Sequence, residues 1–344
     1  MPRVAIRGFA SSAIATRPFA RLVALLERFD RSRLDLLPVL TYHRIDERAG
    51  DGGVGSGVFS ATPREFSAQV AWLAVHRRIL SLSELLDVRR GRTPLPRRSI
   101  MVTFDDAYRD FADAAWPVLK ERGVPVTLFV PTAYPGFDGR AFWWDKLHDA
   151  FATTARRDEI ETPFGRLPLR TTDDRARALR AVRTRIRAMA HEAALKMLDD
   201  IVAQLGVSPA VSPVLSWPEL RILAGQGVAL APHSRTHPLL DRVGHDVARA
   251  EIAGSLCDLE REVGSAPRVF AYPGGAYTAE VVSLVAEAGF ELAFTTQRGM
   301  NDLRRADWLR LRRINVGRRS TVPLMRAQLL SWSRHLSGAD GGRP

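Results

Sequence analysis

Short apolar runs that alternate with helical patterns are the feature that most constrains the fold of this chain. The runs 99–104, 126–130, 228–231, 269–271 and 292–295 have the length and apolar content of buried strands, and helix-forming segments lie between most of them. Strands that alternate with helices form parallel sheets, and about seven such units favour a closed or nearly closed barrel. We therefore predict an α/β barrel in which any chemistry lies at the carboxyl ends of the strands.

The same pattern divides the 344 residues into regions. Residues 38–320 are predicted to form the barrel, interrupted by an arginine-rich and mostly helical insertion at about 135–213. Residues 321–344 are predicted to form a C-terminal helix and tail. Residues 1–37 are predicted to be a helical extension, because apolar residues recur there at helical spacing with arginines between them. This extension is either packed on the barrel or a helix that contacts a membrane surface.

The charge balance raises the question of a polyanionic partner. Fifty Lys and Arg residues stand against 38 Asp and Glu, which gives a net charge of +12 at pH 7. Such a charge is compatible with nucleic acid or an anionic membrane surface. However, all but three of the basic residues are arginines scattered along the chain, with no basic stripe that carries interleaved aromatic residues. We therefore predict no nucleic-acid partner.

Cysteine content and hydropathy exclude other classes. The single cysteine, Cys257, excludes a disulfide framework. No apolar run reaches the roughly 18 residues that span a bilayer. No export signal is recognisable, so a cytoplasmic location is expected, with membrane contact only peripheral and through the N-terminal helix.

Polar residues follow three of the predicted strands. His43 follows the apolar run at 38–42, Asp105 and Asp106 follow the run at 99–104, and His233 follows the run at 228–231. Two adjacent carboxylates repel each other unless a cation or donor lies nearby. The alternative is an N-cap pair for a helix that begins at Ala107.

His233 and His237 are four residues apart. On a helical turn they share one face, which suits two ligands of one cation; alternatively, one caps an element and the other lies at the surface. One aspartate and two histidines form a three-ligand site with open positions, as in catalytic metal sites. A second carboxylate beside a metal-activated water is the base of a hydrolase. The residues therefore indicate metal-assisted hydrolysis.

Three segments resemble the motifs of the NodB-homology polysaccharide deacetylases, carbohydrate esterase family 4. Residues 102–106 (Val-Thr-Phe-Asp-Asp) resemble the first motif and residues 233–237 (His-Ser-Arg-Thr-His) the second. Residues 270–275 (Phe-Ala-Tyr-Pro-Gly-Gly) look like a variant of the third. The resemblance extends over residues 38–316, apart from the insertion, and implies a distorted (β/α)7 barrel.

The resemblance implies roles for individual residues. Asp106, His233 and His237 would bind a divalent metal, for which zinc is the first expectation and cobalt, manganese or nickel are substitutes. Asp105 would be the general base. The backbone N–H of Tyr272 would stabilise the oxyanion.

The chain departs from the common pattern at the last motif. Many members carry a general-acid histidine in a late Leu-x-Leu-His strand, whereas residues 309–314 contain no histidine here. Residues 39–44 look like that strand moved to the N-terminus, an order that resembles the biofilm poly-N-acetylglucosamine deacetylases. His43 is therefore predicted to protonate the leaving amine; alternatively, it is a structural histidine. Arg313 is predicted to orient the catalytic aspartate or, alternatively, to lie at the surface.

Two further segments supply candidate substrate contacts. Trp143 and Trp144 offer flat apolar faces to sugar rings, and Asp145 could reach a sugar hydroxyl or the metal. Alternatively, these aromatic residues anchor the insertion to the barrel. Pro273 and Gly274 of the third motif are also assigned to substrate binding.

The predicted function is metal-dependent removal of N-acetyl groups from polysaccharides or oligosaccharides that contain N-acetylglucosamine. The predicted partner is thus a carbohydrate with N-acetylated amino sugars. One alternative is hydrolysis of another amide on the same scaffold, such as a formamide or a lipid- or nucleotide-linked amino sugar. The other is a carbohydrate-binding protein without turnover, which has no need of a base beside the metal.

Overall fold

The computed structural model describes residues 17–29, 36–47, 58–136, 141–208 and 212–331. The strands of this part are β1 (Leu36–Leu37), β2 (Val39–Tyr42), β3 (Arg44–Ile45), β4 (Phe59–Ala61), β5 (Arg78–Ile79), β6 (Ser99–Phe104), β7 (Thr127–Val130), β8 (Glu159–Thr162), β9 (Gly165–Pro168), β10 (Ala229–Pro232), β11 (Val269–Ala271), β12 (Leu292–Arg298), β13 (Asn301–Asp302) and β14 (Leu311–Asn315).

The α-helices of the same part are α1 (Arg17–Phe29), α2 (Pro63–His76), α3 (Leu82–Arg89), α4 (Trp116–Glu121), α5 (Trp143–Thr153), α6 (Thr172–Ala188), α7 (His191–Leu205), α8 (Trp217–Gly225), α9 (His245–Val263), α10 (Ala279–Glu287) and α11 (Val322–Gln328). Several begin where the sequence places a capping residue. At the start of α2, for example, the Thr62 hydroxyl accepts the Glu65 N–H while the Glu65 carboxylate accepts the Thr62 N–H.

Seven strands form the barrel wall in the order β10, β7, β6, β2, β14, β12 and β11, and every neighbouring pair is parallel. Strand β5 adds to β6. No backbone ladder joins β10 to β11 in the described residues. The side chain of His233 bridges this seam, because its Nδ1 lies 2.7 Å from the carbonyl oxygen of Ala271. The predicted (β/α)7 barrel is therefore confirmed, and it is nearly closed.

The strands are apolar on both faces because both faces are covered. Val39, Met101, Phe129 and Phe294 belong to the cluster that fills the barrel interior. The alternate residues, such as Leu40 and the other members of a second cluster, pack against the surrounding helices. This arrangement leaves the carboxyl edge of the sheet as the place where polar side chains can gather.

The predicted insertion contains α5, the antiparallel hairpin β8–β9, α6 and α7. These elements enclose a hydrophobic cluster of their own, which includes Leu147, Ile160, Val182 and Leu198. The hairpin was not predicted, because its strands are short and lack the apolar content of the barrel strands; half of their residues are exposed.

In the N-terminal extension the structure describes α1 and β1, and β1 pairs antiparallel with β13. Helix α1 packs against α11, the described helix of the predicted C-terminal region. Val23 is buried, and Glu27 pairs with Arg326 of α11 at 3.1 Å. Leu22 and Phe29, in contrast, are more than half exposed. The helix is thus packed on α11, with part of its apolar face uncovered. None of the described helices is long and apolar enough to cross a bilayer. Membrane contact through α1 stays a prediction.

Gly275 is a position where the turn after β11 requires glycine. Its φ is +72°, and a Cβ would lie 2.0 Å from Thr296 Oγ1 and 2.6 Å from the Thr296 backbone nitrogen. We expect Gly275→Ala to lower the free energy of unfolding by at least about 2 kcal/mol, since the backbone strain and the clash add. The matched control is Gly91→Ala, where φ is +69° and no atom lies within 4 Å. It should cost about 1 kcal/mol. Urea denaturation checks both values, and equal losses would contradict the clash.

Candidate active site

Asp106, His233 and His237 converge at the carboxyl edge of the barrel. Asp106 follows β6 and His233 follows β10. One ligand atom of each residue lies within 4.8 Å of the others. Asp106 Oδ1 is 3.7 Å from Nε2 of His233 and 3.3 Å from Nε2 of His237. The structure therefore brings the three predicted ligands together.

The segment between the two histidines is not helical, contrary to the helical turn considered from their spacing. Ser234 and His237 have positive φ values of 58° and 59°. The backbone N–H groups of Arg235 and Thr236 both donate to Oε2 of Glu251 on α9, each at 2.8 Å. This carboxylate accepts the backbone N–H groups that the turn leaves without helical partners. The two histidines are therefore brought together by a tight loop and not by one face of a helix.

The paired aspartates do not cap a helix either. Asp106 and Ala107 have positive φ values of 74° and 52°. Helical structure begins only at residue 109 and passes through a π-helical turn, Phe111–Ala115. The N-cap alternative is therefore wrong. Non-glycine residues in this region of φ cost free energy and tend to occur at functional sites.

The three residues fit a divalent metal by their donor chemistry. Asp106 Oδ1 is buried and accepts no hydrogen bond from the described residues, since the 3.3 Å approach of His237 Nε2 is not aligned for one. His233 Nδ1 donates to the carbonyl oxygen of Ala271. Nε2 therefore carries the free lone pair of the ring, and it lies on the side of Asp106. Burial lowers the pKa of His233 to about 4, so its imidazole is neutral. Two imidazoles and a carboxylate suit zinc and similar ions.

Asp105 lies beside this set in a buried ion pair with Arg313. Nη1 of Arg313 donates to Oδ1 of Asp105 and Nη2 to Oδ2, both at 2.8 Å, while Nε donates to the Thr295 carbonyl at 2.9 Å. Burial alone would raise the pKa of Asp105, but the charge of Arg313, followed by the facing imidazoles, lowers it below its usual range. Arg313 is 1% exposed, so the alternative prediction that it lies at the surface is wrong.

His43 completes the group at the end of β2. Its Nε2 lies 3.9 Å from Oδ2 of Asp105, and its backbone N–H donates to Ser60 Oγ at 2.9 Å. The side chain is partly exposed, in contrast to the buried aspartate. A histidine from the N-terminal strand thus reaches the site, as the motif order predicts.

Tyr272 does not have the free N–H that was predicted for it. This group donates to the carbonyl oxygen of Phe294 at 3.0 Å, and the hydroxyl donates to the Leu309 carbonyl. The oxyanion assignment is therefore wrong in this structure. The physical reason is sheet register: Ala271 pairs with Phe294, so the next N–H continues the β11–β12 ladder. In the same turn, the N–H of Gly274 has no acceptor among the described residues.

Trp144 packs against a predicted metal ligand. It is 7% exposed, and its ring centroid lies 4.8 Å from that of His237. Its Nε1 donates to the Tyr108 hydroxyl at 2.8 Å, and this hydroxyl donates to Asp145 Oδ2 at 2.7 Å. Ser212, at the other end of the insertion, donates to the same oxygen at 2.6 Å.

For Trp144 and Asp145 the structure therefore favours the anchoring alternative over sugar contact. Burial raises the pKa of Asp145, which does not belong to the ligand group. Trp143 is half-buried, Pro273 is buried and Gly274 lies in the turn after β11. The hydrogen bonds of Tyr108 and Ser212 to Asp145 were not predicted, because no motif or spacing marks these two residues.

Comparisons with known proteins agree with this geometry. The polysaccharide deacetylase family model matches residues 92–153 and 180–293. A Staphylococcus epidermidis protein named poly-beta-1,6-N-acetyl-D-glucosamine N-deacetylase is 35% identical over 79 residues, which cover 23% of this chain and 27% of that protein. The chain therefore matches only about a quarter of the length of this curated relative.

Two solved structures share the fold. The Streptococcus pyogenes deacetylase PplD, in complex with acetate, has a TM-score of 0.58 and 17% identity, with 86% of this chain and 98% of that chain covered. IcaB from Ammonifex degensii has a TM-score of 0.57 and 22% identity, with 86% and 97% covered. The chain belongs to the polysaccharide deacetylase family, and the resemblance predicted from the motifs is confirmed.

The ligand set predicts how the protein binds metal. We expect one Zn²⁺ per chain, and Asp106→Ala should weaken this binding by about 100-fold or more because the set loses its anionic donor. Competition with a chromophoric chelator measures the affinity. His245→Ala, which removes an exposed histidine outside the site, is the control and should bind as the wild type does. Equal affinity in the two variants would show that the metal binds elsewhere.

Proposed function

We propose that this chain removes N-acetyl groups from N-acetylglucosamine-containing polysaccharides or oligosaccharides by metal-dependent hydrolysis. The observation that carries the proposal is Asp105, a buried and ionised carboxylate fixed by Arg313 beside the three-residue donor set but outside it. A protein that only binds carbohydrate has no use for such a base. The arrangement therefore favours turnover over the binding alternative.

The family and the named relatives support the choice of substrate. The relative from Staphylococcus epidermidis is named for deacetylation of a β-1,6-linked N-acetylglucosamine polymer. Asp106, His233 and His237 would hold the divalent cation, with zinc as the first expectation. When bound, such a cation polarises an amide carbonyl and lowers the pKa of a water molecule.

Asp105 and His43 divide the proton transfers between them. Asp105 takes a proton from the water that attacks the acetamide carbonyl, and Arg313 keeps this carboxylate ionised and oriented. His43, whose Nε2 lies 3.9 Å from Asp105 Oδ2, donates a proton to the nitrogen as the C–N bond breaks. The products are acetate and a free amine.

The carbonyl oxygen gains negative charge during the attack and needs a fixed donor. We assign the role of oxyanion donor to the N–H of Gly274 and not to that of Tyr272, because the Gly274 N–H has no acceptor in the described part of the chain. The Thr296 hydroxyl donates to the Gly274 carbonyl at 3.1 Å, which helps to fix the peptide turn. Trp143 and Pro273 stay candidate substrate contacts.

Acetate release tests the proposed reaction. We expect the metal-restored protein, but not the stripped protein, to release acetate from β-1,4- and β-1,6-linked N-acetylglucosamine oligomers. Asp105→Asn and His43→Ala should each lower kcat by about 100-fold or more, since each removes a proton-transfer group. Metal affinity should stay that of the wild type in His43→Ala. His76→Ala, which removes an exposed histidine on α2, is the control. Full turnover by His43→Ala would overturn its assignment as the acid.

The Arg313–Asp105 pair predicts a change in the pH profile. The base must be ionised, and Arg313 lowers its pKa, so activity persists as the pH falls. Without the guanidinium the pKa of Asp105 rises. In Arg313→Met the acid limb of kcat/KM, measured at saturating metal, should therefore move to higher pH. Arg313→Lys keeps the charge and should move the limb less, and Arg312→Met, at an exposed neighbour, should leave it in place. An unmoved limb in Arg313→Met would contradict the assignment of Asp105.

A further inference from the structure

A cavity of about 440 Å³ lies on the outer side of the barrel wall, beside β12 and β14, and we name it the outer cavity. Arg313 of β14 points inward to Asp105, so its neighbour Arg312, which lines the cavity, points to the opposite face. Every other connection between consecutive wall strands contains an α-helix, whereas residues 299–310, which join β12 to β14, contain none. The wall is covered here by a loop, and the space beside it has the volume of a ligand site.

Contacts with the loop fix the position of Arg312. Its backbone N–H donates to Oδ1 of the buried Asn301 at 2.8 Å, and Nδ2 of Asn301 donates to the Arg312 carbonyl at 2.9 Å. The Arg312 side chain lies against Gly299, where a Cβ would be 2.9 Å from its Cδ. These contacts restrict the guanidinium, and a restricted side chain loses less conformational entropy when it binds a ligand.

The charges that line the outer cavity leave two arginines without an anionic partner. The two aspartates of the lining, Asp302 and Asp307, each accept hydrogen bonds from an arginine close in sequence. Arg305 and Arg312, in contrast, form no ion pair with any residue that the structure describes. Guanidinium groups match the oxygens of phosphate and carboxylate. A phosphate monoester, with nearly two negative charges at pH 7, balances two arginines better than one carboxylate does.

Two neutral side chains of the same lining supply hydrogen bonds for hydroxyl groups. Nε2 of Gln297 donates to the Tyr277 hydroxyl at 2.6 Å. The Tyr277 hydroxyl proton and Oε1 of Gln297 have no partner among the residues that the structure describes. The pair therefore offers one donor and one acceptor in a fixed arrangement. A sugar ring carries hydroxyl groups that both donate and accept, so it can use both.

We infer that the outer cavity binds the phosphate monoester of a sugar. The phosphate lies on Arg305 and Arg312, and the ring hydroxyls contact Tyr277 and Gln297. This site goes beyond the proposed deacetylation, because the cavity and the Asp105–Arg313 pair lie on opposite faces of β14. It is a separate binding site and takes no part in the reaction.

Calorimetry with glucose 6-phosphate tests the outer cavity. We expect inorganic phosphate and glucose each to bind about tenfold or more weakly than glucose 6-phosphate, because each keeps only part of the contacts. Equal affinity for inorganic phosphate would overturn the assignment of a sugar, and equal affinity for glucose would overturn that of an anion. Tighter binding of glucuronate would overturn the choice of phosphate over carboxylate.

Variants of the lining show where the ligand binds. Arg305→Met and Arg312→Met should each weaken binding of glucose 6-phosphate by about tenfold or more, since each removes a charged hydrogen-bond donor. The matched control is Arg64→Met, at an exposed arginine of α2 outside the lining, and it should bind as the wild type does. Tyr277→Phe should weaken binding of glucose 6-phosphate but not of inorganic phosphate. Unchanged binding in both Arg305→Met and Arg312→Met would overturn the inference.

Asp106→Ala separates the outer cavity from the metal site, where a bound cation would also attract phosphate. Binding of glucose 6-phosphate should be the same in Asp106→Ala as in the wild type, and acetate release by Arg305→Met should equal that of the wild type. Loss of binding in Asp106→Ala would place the phosphate at the metal site and overturn the inference. Wild-type binding by a protein that releases no acetate would support the outer cavity and reject the proposed reaction.

Discussion

The bidentate pair between Arg313 and Asp105 is the interaction on which the site depends. Arg313 lies on β14 and Asp105 follows β6, and in the barrel wall β2 lies between these two strands. The pair therefore ties the carboxyl ends of three strands together across the end of β2, where His43 is located. Loss of one partner would leave a buried charge unpaired, at a cost of roughly 3–5 kcal/mol. The same contact that holds the barrel edge thus fixes the base and its distance from the histidine.

The donor set beside this pair is held in strained backbone. Of the five non-glycine residues with positive φ in the described part of the chain, four lie at the site: Asp106, Ala107, Ser234 and His237. Such conformations persist only where the surroundings fix them. Glu251 does so for the histidine loop, since it accepts two of its backbone N–H groups and the Thr236 hydroxyl. Packing of α9 on the barrel therefore contributes directly to the placement of the ligands.

Strand positions and most of the site were predictable, because parallel strands bring their carboxyl ends to one edge whatever their separation in sequence. His43 and His233 were found in this way. The backbone of the histidine loop was not, since its geometry depends on Glu251, a residue on a distant helix. The free N–H was assigned to Tyr272 instead of Gly274 because that choice depends on strand register. Burial of Trp144 against His237 depends on where the insertion packs, which periodicity does not reveal.

The insertion is anchored beside the donor set. Both of its ends meet at Asp145, which accepts hydrogen bonds from Tyr108 and Ser212. Tyr108 in turn accepts one from Trp144, whose ring packs against His237. The barrel strands thus supply the reacting groups, whereas the insertion shapes the surface beside them. Because its anchor includes the Trp144 ring packed on His237, the insertion has a fixed position relative to the donor set.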